Sequence, residues 1–191
     1  MSESRNHLAL VGSPNCGKST LFNWLTGASA KVVNYPGSTV EYSVGSLVTH
    51  LESYVHSVTT IMDTPGTYSL TPRSQDEWVT WKSIFENSTY GLPNLLLVVI
   101  DGTQLSRQLS LVEQVRRTGL NFKIIITMND LLEKENIHIK IAEIGKYFNT
   151  DVFLFDGLLG SGLIDIAKSL NFSIKSNSDF IVFTTIFCKS E

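Results

Sequence analysis

Gly12-Ser13-Pro14-Asn15-Cys16-Gly17-Lys18-Ser19 decides the reading of this chain. The octet has the spacing G-x-x-x-x-G-K-[ST], and its surroundings give that spacing meaning. Before it, His7-Leu8-Ala9-Leu10-Val11 is an apolar run of strand length. After it, Thr20-Leu21-Phe22-Asn23-Trp24-Leu25-Thr26 has helical spacing, with Leu21 and Leu25 on one face and Gly27 as the stop. Gly12 and Gly17 allow a turn in which successive N–H groups face inward and make a nest for anionic oxygens. The helix that follows aims its positive end at the same point. On this reading the run from Gly12 to Thr20 grips phosphate. Lys18 supplies a point charge for β- and γ-phosphates, and Ser19 supplies a hydroxyl for Mg2+. The competing reading is a plain glycine turn between a strand and a helix.

Outward from the octet, residues 28–39 are polar and hold Pro36 and Gly37, which predicts a mobile loop. Val40 to Leu51 alternates loosely as a strand would, with a bulge or turn at Gly45-Ser46, and Val58 to Met62 is a second strand. Their close spacing predicts an antiparallel hairpin at a sheet edge. Thr67 to Arg73 is a second loop. Ser74 opens a helix with a capping box to Glu77. Its aromatics Trp78, Trp81 and Phe85 are expected to pack it on the sheet, with a partner-facing role as the alternative. Asn94 to Ile100 is a continuous apolar run, as in a strand buried on both faces. Gln104 to Thr118 is a helix with a Leu105, Leu109, Val112, Val115 stripe and a stop at Gly119. A strand at Phe122 to Met128, a helix at Ile139 to Phe148, a strand at Val152 to Phe155 and a helix at Leu163 to Leu170 complete the pattern. The alternation predicts a three-layer α/β fold, a mostly parallel sheet with one antiparallel edge strand and helices on both faces. Ligands in such sheets bind beyond the carboxyl ends of the strands. The octet, Asp63 and Asp130 all fall at such ends.

The 191 residues suffice for one domain with a full core, expected over residues 1–170, with 171–191 as a tail. A net charge of −3 gives no basic field for nucleic acid. Two cysteines, Cys16 and Cys188, form no disulfide framework and favour a reducing compartment. Cys16, beside a helix start, is either an activated thiol or a plain small residue. His7, His50, His56 and His138 are scattered without metal-ligand spacing. The N-terminus lacks a signal-like apolar region, and the apolar stretch Phe180 to Cys188 is too short to span a bilayer. These features predict a soluble cytoplasmic domain.

Two further elements carry chemistry. Asp63-Thr64-Pro65-Gly66 matches the D-x-x-G element of GTPases: Asp63 can hold Mg2+ through a water, and the Gly66 N–H can meet the γ-phosphate. Thr39, in the first loop, can lend its hydroxyl to Mg2+ and its N–H to the γ-phosphate. Those contacts exist only while that phosphate is present, which makes the loop a switch.

Taken together, these strings resemble the G domain of the FeoB family of bacterial ferrous-iron transporters over roughly residues 7 to 170. The octet continued through Thr20-Leu21-Phe22-Asn23 and Leu25-Thr26-Gly27 looks like that domain's opening. Val33-Asn34-Tyr35-Pro36-Gly37-Ser38-Thr39-Val40-Glu41 resembles its first switch. Asp63-Thr64-Pro65-Gly66-Thr67-Tyr68-Ser69-Leu70 resembles its second, continued by Ser74-Gln75-Asp76-Glu77, and Val99-Ile100-Asp101 and Met128-Asn129-Asp130 also align. The resemblance implies a P-loop GTPase sandwich that binds GTP and GDP, hydrolyses GTP with Mg2+, and acts as a nucleotide switch through residues 31–41 and 63–74. It further implies a partner, the membrane portion of a transporter on the same or a companion chain, and a place at the cytoplasmic face of the inner membrane. In that family the asparagine matching Asn15 is associated with K+, which adds K+ to the expected cofactors. Lys18, Asn15, Thr39 and Gly66 would then act on the γ-phosphate. Thr67 stands where many GTPases have a water-orienting glutamine, so catalysis would rest on electrostatic stabilisation and be slow.

Three departures bear on the base. The usual Asn-x-x-Asp reads Thr127-Met128-Asn129-Asp130: Asp130 can accept two hydrogen bonds from guanine, but Thr127 lacks an amide, a loss of about 0.5–1.5 kcal/mol. A serine-containing pair is expected near Asp156-Gly157-Leu158, and the serine is missing. Ser13 replaces a frequent asparagine. Thr127 and Gly157 motivate a second reading, a degenerate nucleotide-binding regulatory module with little hydrolysis. A third, a soluble GTPase of the ribosome-assembly type, is opposed by the Asn34-Tyr35-Pro36-Gly37 and Gly66-Thr67-Tyr68-Ser69-Leu70 strings.

Overall fold

The computed structural model describes residues 7–27, 30–35, 40–55, 60–87 and 89–171. Its centre is β1 (His7–Gly12), buried at every position. β1 lies between two parallel neighbours, β4 (Thr60–Asp63) and β5 (Leu95–Asp101). Beyond β5 follow β6 (Phe122–Thr127) and β7 (Val152–Leu154), both parallel. On the other flank β3 (Glu41–Gly45) runs antiparallel to β4, and β2 (Lys31–Asn34) antiparallel to β3. The seven-stranded order is β2-β3-β4-β1-β5-β6-β7.

The alternating side chains of β1 supply both faces, as a two-residue period requires. Leu8 and Leu10 join Leu21, Phe22 and Leu25 of α1 (Lys18–Thr26) and Leu163, Ile166 and Ala167 of α7 (Leu163–Ser169). Ala9 and Val11 join Ile84 of α3 (Gln75–Phe85), Leu111, Val112 and Val115 of α4 (Leu105–Arg117) and Phe148 of α6 (Ile141–Phe148). Two apolar layers on one sheet give the expected three-layer α/β sandwich. Each fully buried Leu or Ile in them contributes about 1.5–3 kcal/mol. Among the described residues no helix is long and apolar enough to cross a membrane.

The differences from the sequence reading are local. The antiparallel strand is β3, and it ends at Gly45 rather than near Leu51, giving way to a single turn, α2 (Thr49–Glu52). Gly45 lies so close to α1 that a Cβ there would approach Thr26 Cγ2 to 2.8 Å. β2 stands outside β3, where a loop was expected. Its four residues, with the β-branched pair Val32-Val33 between polar ends, are too few for alternation to register. Of the strand expected at Val58 to Met62, residues 58 and 59 lie outside the described residues, and β4 carries the rest from Thr60 on through Asp63. α5 (Asn129–Lys134) was not expected; six residues leave no room for a periodic stripe.

Ser74 does cap α3, its hydroxyl accepting from Glu77 N at 3.2 Å. The return half of the box is shifted by one residue, because Glu77 Oε2 accepts from Arg73 N at 2.8 Å. The face of α3 that meets the sheet is Val79, Thr80, Ser83 and Ile84, and Phe85 packs only at the margin. Trp78 is 49% exposed. It meets Trp81 edge-on at 5.8 Å, so the aromatic stripe stacks largely on itself.

Candidate functional site

The parallel strands deliver their chain ends to one rim. β1 ends at Gly12, β4 at Asp63 and β6 at Thr127, and β7 leads to Asp156. The phosphate loop leaves β1 at a position where no side chain fits, since a Cβ on Gly12 would stand 2.3 Å from Val99 O. The turn then passes through left-handed backbone at Asn15 (φ 63) and Gly17 (φ 84). Cys16 N bonds to Ser13 O at 3.3 Å, and Leu21 N to Gly17 O at 3.0 Å starts α1. Pro14, Asn15, Ser19 and Thr20 are exposed, whereas Ser13, Cys16 and Lys18 are buried. The Ser13 hydroxyl is the one buried side-chain polar atom among the described residues without a hydrogen-bond partner. Burial raises the Cys16 thiol above its usual pKa, so the activated-thiol alternative gives way to the plain small residue.

Lys18 reaches across to β4. Its Nζ donates to Asp63 Oδ1 and to Thr64 O, each at 2.5 Å. Ser19 Oγ donates to the other carboxylate oxygen, Asp63 Oδ2, at 2.7 Å. A buried ammonium, a carboxylate and an exposed hydroxyl therefore converge where the helix dipole also points. Ser19 and Asp63 form an oxygen-only donor pair, the set a hard divalent cation takes. Asn15, exposed on its left-handed turn, can offer an amide oxygen of the same hard kind to K+.

The D-x-x-G segment rests on the phosphate loop. A Cβ on Gly66 would meet Pro14 Cγ and Pro14 N at 2.9 Å, so only glycine allows the approach. Thr67 N donates to Gly12 O at 2.9 Å. The Thr67 hydroxyl is spent inside its own loop, donating to Ser69 O at 2.6 Å, and the residue is buried. It is not available to orient a water.

At the end of β6, Thr127 Oγ1 lies 2.7 Å from Cys16 O and 3.2 Å from Ile100 O, and its methyl faces Gly17. The residue that replaces an amide thus ties β6 to the phosphate loop. Met128 (φ 57) is a left-handed N-cap that starts α5 and places Asp130 in its first turn. Asp130 is half-buried, with Lys134 Nζ 3.5 Å from its Oδ2. Asp156 shapes the last loop, its Oδ1 accepting from Leu158 N at 2.8 Å and Leu159 N at 3.0 Å. Gly157 lies against Thr20, and Leu158 points outward, 83% exposed.

All the sequence-predicted residues that the structure describes therefore gather on this rim. Thr39 lies outside the described residues, as do His56, Cys188 and the 172–191 tail. Sequence reasoning missed Thr64, whose carbonyl holds Lys18 and whose hydroxyl donates to Leu10 O at 2.7 Å. It also missed Gln114, which accepts from Ser69 Oγ at 2.9 Å and Leu70 N at 2.7 Å. Trp24, whose indole Nε1 donates to Gly157 O at 2.9 Å, was missed too, although an aromatic on the polar face of α1 was a visible signal.

A family model described as ferrous iron transport protein B matches residues 6–170. The Fe(2+) transporter FeoB of Leptospira biflexa is 30% identical over 165 residues, covering 86% of this chain and 23% of that protein. That of Shigella flexneri is 36% identical over 156 residues, covering 82% and 20%. The chain thus spans about a fifth of the length of the curated relatives it matches. Among solved structures, the G domain of the T. maritima FeoB iron transporter has a TM-score of 0.74 at 28% identity, covering 87% of this chain and 96% of that one. A mutant S. thermophilus NFeoB bound to GDP gives 0.74 at 30% identity, covering 86% and 61%. The phosphate-loop rim, the sheet order and these matches lead to one assignment: the chain belongs to the ferrous iron transport protein B family.

Proposed function

We propose that residues 1–170 are a G domain that binds GTP and GDP and hydrolyses GTP slowly, with Mg2+ and K+, as the nucleotide-responsive part of a Fe(2+) transporter. The observation that carries the reading is the convergence of Lys18, Ser19 and Asp63 beneath the phosphate loop, each within 2.7 Å of its partner. The inward amides from Ser13 to Ser19 and the Lys18 ammonium hold the phosphates. Ser19 and Asp63 hold Mg2+, which draws charge from the phosphate oxygens when bound. Asn15 holds K+. Asp130 pairs with the guanine edge, and the 156–158 loop covers it. Because the Thr67 hydroxyl is committed within its loop, the chain relies on preorganised charge rather than on a side chain that orients water.

Thr39 and Gly66 are the γ-phosphate sensors of the switches at 31–41 and 63–74. The close seat of Gly66 on Pro14 supports that role for the second. The membrane portion is the natural partner, at the cytoplasmic face of the inner membrane. GDP in the S. thermophilus relative supports guanine nucleotide as the ligand.

The test is phosphate release from GTP with Mg2+, in K+ against Na+. The expected outcome is slow turnover that is faster in K+, loss of nucleotide binding in Lys18→Ala, and loss of the K+ effect in Asn15→Ala. No turnover in either salt from a folded chain would refute the hydrolase reading. The alternative of a degenerate binding module draws on Thr127, and micromolar GDP binding without hydrolysis would favour it. The ribosome-assembly alternative is not retained, given the family match.

A further inference from the structure

We infer that Trp24 is a positioning residue for nucleotide binding, the post on which the base-covering loop is seated. This rests on the proposed guanine-nucleotide site. The loop at 156–162 is closed on itself: besides the Asp156 carboxylate bonds, Gly160 N donates to Asp156 O at 2.8 Å and Asp156 N to Ser161 O at 3.1 Å. A closed turn keeps its shape, but its orientation over the site must come from outside. Its own leucines do not supply that, for Leu158 and Leu159 are 83% and 77% exposed.

The outside support comes from α1. Trp24, 38% exposed on the solvent side of that helix, donates from its indole Nε1 to Gly157 O at 2.9 Å. The benzo edge of the same ring lies beneath Gly160 (φ 73), where a Cβ would stand 2.8, 3.0 and 3.2 Å from three ring carbons. One turn earlier on the same face, the Thr20 methyl occupies the space a Cβ on Gly157 would need, at 2.9 Å. Two glycines of the loop thus rest on an i, i+4 pair. The indole orients the loop where the expected serine-containing pair is missing. It also joins the base side to the helix whose first turn grips phosphate, so both halves of the nucleotide meet one rigid element.

The experiment uses the full 191-residue chain with Trp24→Phe, which keeps a ring but removes the donor, and Trp24→Ala, which removes both. Release of a fluorescent N-methylanthraniloyl GDP is timed, and GDP and ADP affinities are measured by calorimetry. Trp24→Phe is expected to speed GDP release about fivefold, the worth of one hydrogen bond, and Trp24→Ala roughly tenfold or more. Both should narrow the preference for GDP over ADP, while Trp24→Phe unfolds within about 2 °C of the parent. Parental release rates in both variants would overturn the inference. So would equal losses for GDP and ADP accompanied by a lowered unfolding temperature, which would make the indole purely structural. A parent chain that binds no GDP would overturn the nucleotide site itself, and that appears before any variant is compared.

Discussion

Thr127 does with a hydroxyl part of what an amide would do. Its bond to Cys16 O pins the phosphate loop from below, while the amide donors and acceptor of an asparagine are absent. The two roles separate by substitution. Thr127→Val keeps the shape and removes the tether; it should weaken GDP binding about fivefold by calorimetry, the scale of one buried hydrogen bond. Thr127→Asn should raise the GDP-over-ADP ratio. An unchanged ratio would mean that Asp130 alone reads the base. The sequence revealed the substitution and its cost, because those follow from residue type and motif position. The tether was hidden, since its partner lies 111 residues away in the chain. Cys16 was ambiguous for a similar reason: its neighbourhood pointed to a reactive thiol, and only burial, a tertiary property, decided against it.

Among the elements, α4 has a task its apolar stripe did not announce. The stripe packs on the sheet, while the adjoining side holds the loop at 67–73 through Gln114 and through Arg107, whose guanidinium lies 4.9 Å over the Tyr68 ring. At the end of the same helix, Glu113 accepts from Arg116 and Arg117, and those hydrogen bonds lower its pKa to about 2. Gln114→Leu should free the Leu70 amide and raise its hydrogen-exchange rate about tenfold, given about 1–2 kcal/mol for a bond whose loss strands its donor. Unchanged exchange at Leu70 would mean that the loop is held elsewhere. Long periodic elements such as α4, and unbroken apolar ones such as β5, were legible because burial writes a pattern along them. β2 and α5 were not, because four- and six-residue pieces are stabilised by the neighbours they pair with or cap, not by a stripe of their own.

Across the whole molecule, the sheet separates chemistry from a titration. The site lies at the carboxyl ends of the strands, whereas His7 opens β1 at the far end, 2% exposed and beside Tyr90 with ring centroids 5.9 Å apart. Burial lowers its pKa from 6.5 to about 4. The folded chain thus takes up the proton less readily than the unfolded chain. The contribution of the neutral ring is complete above pH 6.5, falls as the pH drops toward 4, and changes no further below that. The loss is on the order of 3 kcal/mol. Denaturant unfolding at stepped pH should show this limb, and His7→Gln should flatten it; a parallel slope in both would move the cause to other groups. The fold class followed from the sequence because the alternation of strands and helices runs through the chain. The acid-sensitive end did not, since a histidine that starts a strand looks the same wet or dry until its neighbours are placed.

β1 links these two ends and also fixes their separation. At about 3.3 Å per residue its six residues hold them roughly 17 Å apart, beyond the range at which perturbations usually couple. Protection by a bound nucleotide and weakening by acid should therefore sum as independent quantities, so that a ligand titration repeated at pH 5 would shift the baseline of the melting curve and leave its spacing intact.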